Sequence, residues 1–333
     1  MKALMLVDEQ KDRIKMVDID KPKLQPGQAL VRIKAAALNH RDQWCREDKY
    51  PSIKYNVILG SDGAGFVEEV FDSQDDKWLG QKVIINPNIN WGSDPDVQQH
   101  DYRILGMPEN GTFANYVAVG IDRLVQKPEH LSFEQAAALP LGALTAYRAV
   151  FRHGRVQPGQ QVLISGIGGG VAQFAFLFAL KAGAEVSVTS GSDAKIKKAK
   201  AYGALEGYNY KLKDWHKQAY NRARGFNLVI DSAGGDQLNT FIKILKPAGK
   251  LVFYGATNGL PASLDLYRLF WNQGTLQGTT MGNDTEFAAM VDFVSSHKII
   301  PVIDSVRPFA DIISAFDDMK AGNQFGKLVI QMD

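Results

Sequence analysis

The sequence predicts an α/β protein built from two domains, a β-rich N-terminal part and a parallel sheet covered by helices. Its 333 residues are long for one hydrophobic core. Short strand-like segments broken by Gly and Pro occupy the first third, whereas apolar runs alternate with helix-patterned segments beyond Pro128.

In the first part, Val7 to Ile19 mixes hydrophobic and polar residues as half-exposed strands do, and Ala29 to Ala37 supplies another strand after the turn at Gln25 to Gln28. Gly60, Gly63 and Gly65 lead into the strand-like Phe66 to Val70, and Val83 to Ile85 reads as a further strand. The polar stretch Asn86 to Asn110 reads as a surface loop, followed by a strand at Thr112 to Val119. Ser132 and Gln135 have capping-box spacing before Ala136 to Leu139, and Pro140 separates that helix from the next, Leu144 to Arg152.

Apolar runs at Val162 to Ser165, Glu185 to Thr189, Leu228 to Asp231 and Lys250 to Tyr254 then read as strands. Helix patterns at Val171 to Lys181, Lys195 to Tyr202, Trp215 to Arg222 and Gln237 to Leu245 lie among them. Thr285 to Ser295 is amphipathic, with Phe287, Met290, Val291 and Val294 as packing positions, and Leu328 to Ile330 reads as a returning strand.

Composition narrows the function. With 45% hydrophobic and 22% charged residues, the chain is neither disordered nor fibrous. A formal charge of +2 selects no nucleic-acid or membrane partner, and no apolar run approaches the roughly 20 residues that span a bilayer. Met1 to Arg13 lacks a signal-peptide cleavage pattern, so a cytoplasmic location is the expectation. Cys45 is the only cysteine, which forbids an intrachain disulfide and any site built from several thiolates.

The strongest local signal is the loop Gly166, Gly168, Gly169, Gly170, Val171, Ala172, entered from a short strand and followed by an apolar helix. Small residues let the backbone approach a pyrophosphate, and the helix N-terminus offers unpaired N–H groups to its charge. No G-K-[ST] follows, so a nucleoside-triphosphate loop is excluded. At the tip of the next strand, Ser190 and Ser192 stand where a ribose-binding carboxylate would repel an added phosphate, and Lys195 follows. This combination favours NADP(H); Asp193 is the residue that argues the other way.

In this order, Ala37 to Asp42, Leu59 to Gly65, Gly111 to Val117, Leu141 to Tyr147 and the glycine loop resemble the medium-chain dehydrogenase/reductase superfamily, especially its zinc-free quinone oxidoreductase-like branch. The resemblance covers almost the whole chain. It implies a GroES-like catalytic domain (residues 1–125), a Rossmann NADP(H)-binding domain (126–280), a C-terminal return to the catalytic domain (281–333), and a homodimer. Zinc-dependent relatives use Cys, His and Cys as catalytic ligands, where this chain has Asn39, Ser61 and Leu141; the four-cysteine structural zinc lobe is also missing. No metal is therefore expected.

The resemblance further implies roles for individual residues. Asn39 would orient substrate or water, Arg41 would contact substrate or pyrophosphate, and Asp62 would supply a carboxylate of shorter reach than the family's Glu. His40, Thr145, Tyr210, Gly255, Ala256 and Lys327 would contact the cofactor, and Trp44 and Tyr50 would line the substrate pocket or the core. Without zinc, reduction of a quinone or an activated alkene (enal or enone) is the better expectation for a small electrophilic substrate. A zinc-independent carbonyl reductase and a nucleotide-responsive binding protein without enzymatic activity are the alternatives.

Overall fold

The computed structural model describes residues 1–9 and 12–332; residues 10 and 11, within the expected strand-like stretch Val7 to Ile19, lie outside the described residues. The chain divides into two compact units, residues 1–144 with 282–333 and residues 145–281.

Unit 1 opens with β1 (Lys2–Leu6), β2 (Ile14–Asp18) and β3 (Gln28–Ala37), then α1 (His40–Arg46), β4 (Val57–Ile58), β5 (Asp62–Val70) and β6 (Lys82–Ile85). The expected loop carries one short antiparallel pair, β7 (Asn88–Ile89) with β8 (Arg103–Ile104), and is followed by β9 (Tyr116–Gly120), β10 (Leu124–Gln126) and α2 (Phe133–Ala137). The capping box at Ser132 and Gln135 forms as its spacing predicts. The break expected at Pro140 falls between α2 and the next helix, which starts at Pro140 itself, four residues before the expected Leu144. Pro140 is the first residue of α3 (Pro140–Tyr147), where a missing N–H costs nothing, and a π-helical turn over Arg148–His153 continues from that helix.

Unit 2 contains six parallel strands, β11 (Gln161–Ile164), β12 (Glu185–Ser190), β13 (Glu206–Asn209), β14 (Phe226–Asp231), β15 (Leu245–Phe253) and β16 (Thr275–Gly278), in the spatial order β13-β12-β11-β14-β15-β16. Helices α4 (Gly170–Lys181), α5 (Asp193–Ala201), α6 (Trp215–Ala223), α7 (Gln237–Ile244) and α8 (Leu266–Trp271) lie between them in sequence. Central strands covered on both faces need apolar residues at every position, and Val162, Leu163 and Ile164 are all fully buried. This strand order is that of a dinucleotide-binding fold, and it places the open end of the sheet where β11, β12 and β14 terminate.

The chain returns to unit 1 through α9 (Asp284–Ser296), β17 (Ile303–Pro308), α10 (Ile312–Ala321) and β18 (Lys327–Gln331). β18 pairs antiparallel with β3, completing a sheet ordered β10-β6-β5-β3-β18-β17, with β9 also on β3. Val31, Ile33, Val67, Val83, Phe113, Phe316 and Ile330 form its core. On α9, Phe287, Met290, Val291 and Val294 are buried at the expected spacing. The family resemblance divided the chain after residue 125, whereas contacts keep residues up to Leu144 in unit 1. β10 lies on β6, and α2 packs against β3 and β5. No described helix is long and apolar enough to cross a membrane.

One polar cluster ties the returning segment to the first part of unit 1. Asp284, at the first position of α9, accepts two hydrogen bonds from Arg123 (2.7 and 2.8 Å) and one each from the Asn86 and Asn88 amides (2.9 and 2.8 Å). Burial alone would raise the Asp284 pKa, but these donors outweigh it and hold the carboxyl below the ordinary range. Asp284→Ala is expected to cost about 1–2 kcal/mol at neutral pH, discounted because the carboxylate is half exposed. A lowered pKa gives a contribution that is complete above the unfolded value and lost as pH falls through the folded one. The gap between wild type and variant in denaturant melts should therefore begin to narrow near about pH 4 and close only below the lowered folded pKa.

Candidate active site

In unit 1, β3 ends at Ala37 and the chain turns at Asn39 into α1. The Asn39 backbone N–H donates to Asp42 Oδ2 (2.8 Å), one half of the capping box that starts α1. The Asn39 side-chain Nδ2 donates to Asp62 Oδ2 (2.9 Å), and its Oδ1 accepts from Lys327 Nζ (2.7 Å). Lys327 Nζ also donates to Asp62 Oδ2 (2.8 Å), while the backbone N–H of Leu141 donates to Asp62 Oδ1 (2.7 Å). Asp62, Lys327 and Asn39 are only 0%, 3% and 7% exposed, so this is an ion pair removed from water and held by neutral hydrogen bonds. Strand pairing creates it: Ala37 of β3 lies opposite Asp62 on one side and Val329 on the other.

Groups around the pair respond to it. Burial pushes the Asp42 carboxyl up to about 6, with Asp62 adding to the rise and the Arg41 guanidinium and Asn39 N–H opposing it. The His40 imidazole is held below the ordinary histidine range, by the density of protein around the ring and then by the Lys327 charge; the residue as a whole still reaches solvent, which moderates the first of these. Arg41 does not join the cluster. Its guanidinium donates to Ser61 Oγ (2.6 Å) and to the carbonyls of Leu105 (3.0 Å) and Met107 (3.2 Å), and lies 4.9 Å from the Tyr50 ring centre. Tyr50 is half-buried against the core, and Cys45 is buried, its thiol pushed up to about 12 by desolvation.

In unit 2 the glycine loop leaves β11 with Gly166 in the left-handed region (φ +61°) and reaches Gly169, the N-cap of α4. No side chain caps α4, so its first N–H groups remain for another acceptor. A Cβ on Gly166 would find only Ser232 Oγ at 3.7 Å, and one on Gly169 only Gly166 O at 3.7 Å: this open space is the cradle a pyrophosphate would fill. Gly170 and Val171 open the helix with Ala172 fully buried beneath them; Gly168 stands in the turn before. Ser165 hydrogen-bonds to Asp231 Oδ1, and Asp231 Oδ2 accepts from the backbones of Ala233 (3.1 Å) and Gly234 (2.8 Å), fixing the neighbouring strand end. Gly255 and Ala256 follow β15 beside that turn, a Cβ on Gly255 falling 2.8 Å from Ser232 O. Thr145 is buried, its hydroxyl 3.9 Å from the Met281 sulfur.

Ser190 ends β12 and accepts a hydrogen bond from the Ser192 backbone (3.2 Å). Asp193 accepts from Asn209 Nδ2 (2.9 Å), a partner that accounts for this carboxylate. A Cβ on Gly191 would meet Tyr210 Oη at 2.8 Å and Lys211 Cε at 2.9 Å, so both side chains lie against the strand tip. Lys195, in the first turn of α5, is half-buried. Sequence reasoning found Tyr210 and missed Lys211; the preceding strand β13 is short and polar, which hides the direction of the residues that follow it. Asp42 was also missed, although its spacing from Asn39 carries the capping signal.

A cavity of about 620 Å³ lies elsewhere in unit 1, lined by Asn86, Trp91, Asp122, Arg123 and Asp284 among others. None of Asn39, His40, Asp62 or Lys327 lines it.

The alcohol dehydrogenase GroES-like domain family model matches residues 25–129, and the zinc-binding dehydrogenase model matches residues 170–296. The zinc-type alcohol dehydrogenase-like protein YogA of Leptosphaeria maculans is 36% identical over 334 residues, covering 94% of this chain and 93% of the relative. The zinc-type alcohol dehydrogenase-like protein C1773.06c of Schizosaccharomyces pombe is 34% identical, covering 97% and 96%. A crystal structure of an NAD-dependent alcohol dehydrogenase is 32% identical, with a TM-score of 0.91 and complete coverage of both chains.

Gly169→Ala tests the cradle. The added methyl meets no protein atom closer than 3.7 Å, so thermal stability should hardly change. Nucleotide affinity, measured by fluorescence titration, should fall at least about tenfold, or 1.4 kcal/mol. Unchanged affinity would remove the loop from the binding site.

Proposed function

Because the chain belongs to the medium-chain dehydrogenase/reductase superfamily, whose members share its GroES-like and dinucleotide-binding architecture, we propose that it is an NADPH-dependent reductase of quinones or of alkenes conjugated to a carbonyl, working without zinc. The observation that carries this reading is the Lys327–Asn39–Asp62 cluster. Asn39 and Leu141 stand at two of the positions that the resemblance assigns to zinc ligands. Asn39 is engaged with a lysine, and Leu141 offers a backbone N–H instead of a ligating side chain. Among the described residues, no group of three or more His, Cys, Asp or Glu is arranged to hold a metal ion.

The nicotinamide cofactor, when bound, supplies the hydride. The protein supplies a dry, positively charged place for a substrate oxygen and a cradle for phosphate. Tyr210 and Lys211 against Gly191, with Lys195 in the first turn of the helix that follows, favour the 2′-phosphate of NADP(H); Asp193, which accepts a hydrogen bond from Asn209, is the carboxylate they must outweigh. The names of the relatives and the same Lys327 ammonium favour a second reading, reduction of a simple carbonyl with lysine in place of zinc.

A homodimer is proposed on two observations. β16 is the unpaired edge of its sheet, and the adjacent α8 exposes Leu266, Tyr267, Phe270 and Trp271. A second copy paired along β16 would cover both.

The deciding experiment is anaerobic NADPH oxidation by metal-free protein against quinones, enones, enals and simple aldehydes, with products identified. Quinone or alkene reduction is expected; turnover of aldehydes alone would establish the second reading, and no product from any acceptor would reject both. Lys211→Ala should raise the Kd for NADPH about tenfold or more while leaving that for NADH within about twofold. Equal losses would refute the assigned phosphate contact. Trp271→Glu should yield monomers in sedimentation velocity; an unchanged dimer would place the interface elsewhere.

A further inference from the structure

We propose that Lys327 is the substrate-contacting acid of this enzyme: its ammonium, braced by Asn39 and Asp62, binds and protonates the oxygen that gains negative charge during reduction. This rests on the reductase reading above and goes beyond it, because it assigns to Lys327 a contact with substrate in place of the cofactor contact that the resemblance implied.

An ammonium has three N–H donors directed roughly tetrahedrally. Two are committed, one to Asn39 Oδ1 at 2.7 Å and one to Asp62 Oδ2 at 2.8 Å, both on the same side of the nitrogen's environment because Asn39 and Asp62 are themselves joined at 2.9 Å. The third donor has no acceptor within hydrogen-bond distance among the described residues. A buried donor left unmade is costly, so an acceptor arriving there is favoured. His40, which reaches solvent, lies close enough to Lys327 for its ring to register the ammonium charge.

Asp62 cannot turn to meet an incoming group, since its other oxygen is fixed by the Leu141 N–H at 2.7 Å. Asn39 is likewise fixed, by its backbone bond to Asp42 and by its side-chain bonds to both members of the pair. The cluster therefore presents a preorganised N–H rather than a mobile surface lysine. Arg41, the other buried cation nearby, is committed to Ser61 and two loop carbonyls and does not compete for the oxygen.

For a conjugated alkene the electron count closes. The substrate accepts hydride at its β-carbon, oxidising the dihydronicotinamide, and the alkene π pair moves so that the carbonyl oxygen takes the charge. Lys327 gives one N–H proton to that oxygen, forming an enol and a neutral amine. The amine regains a proton from solvent, and the enol becomes the saturated carbonyl. For a quinone, the same proton completes the hydroquinone.

The test uses 4-nitrophenol, whose phenolate form is coloured and mimics the charged oxygen, added to the full protein without cofactor. Wild type should lower the pKa of the bound phenol by about one unit, a tenfold change in the ionisation ratio. Lys327→Met combined with Asp62→Asn, which leaves no unpaired buried charge, should abolish that shift. The double variant should keep a wild-type circular dichroism spectrum, bind NADPH within about twofold of wild type, and reduce the preferred enone or quinone with kcat lowered about 100-fold or more. Lys327→Arg should keep part of the phenolate shift.

No shift in wild type, or a shift retained in the double variant, overturns the proposal. So does a variant whose main defect is weakened NADPH binding with phenolate stabilisation intact. Because the phenolate readout needs neither cofactor nor turnover, failure of the acceptor panel rejects the reductase reading separately.

Discussion

The burial of one lysine ammonium against one aspartate constrains unit 1 more than any other contact. Taking both charges out of water costs several kcal/mol per ion, and their attraction offsets this only when the remaining lone pairs and protons are satisfied. Asn39 and the Leu141 N–H provide that satisfaction at Asp62, each within 2.9 Å. The requirement reaches far along the chain. Asp62, Ala37 and Val329 lie in register across β5, β3 and β18, and a slip of one residue in either pairing would turn a charged side chain to the wrong face. The C-terminal segment must therefore return to β3, and Leu141 must stay beside Asp62, for the pair to be satisfied.

Unit 2 meets the opposite demand, since its key feature is a set of hydrogen-bond donors left without protein partners. The contrast within one chain is informative. Ser132 caps α2 with Gln135, and Asn283 caps α9 with Glu286, whereas α4 begins at Gly169 with no side-chain cap. A twelve-residue helix whose first residues follow a glycine turn keeps a concentrated positive end. Keeping that end open requires the strand ends around it to be rigid by other means. The Ser165–Asp231 hydrogen bond and the two backbone N–H groups on Asp231 provide this, without any side chain entering the cradle.

How much was legible in the sequence follows from where each signal resides. Central strands of a parallel sheet announce themselves as apolar runs, so β11, β12, β14 and the second half of β15 were readable, while the polar edge strands β13 and β16 were not. The glycine loop is a local motif, and the apolar strand before it and apolar helix after it, rather than its variant glycine spacing, placed it between a strand and a helix. The charged cluster is not local: Lys327 lies 288 residues from Asn39 and 265 from Asp62. The family resemblance picked out all three residues but could not say that they touch. Direction was the other missing quantity. Arg41 was readable as a cation near the site, yet its guanidinium turns to loop carbonyls, and Lys211 was passed over although it lies against Gly191.

On the proposed reading, the exchange of a metal for an ammonium selects the kind of substrate. A zinc ion is a strong Lewis acid that polarises a carbonyl oxygen before any charge has developed, which suits simple alcohols and aldehydes. A lysine carries one charge instead of two, but it has a directional N–H and a proton to give. It gains most when the oxygen has already become anionic, so its stabilisation is concentrated late in the reaction. Conjugated acceptors deliver that charge to an oxygen remote from the carbon that takes hydride, whereas a simple carbonyl develops it on the adjoining atom. A fixed ammonium in unit 1, held by strand register rather than by a flexible loop, is therefore better matched to enones and quinones than to aldehydes.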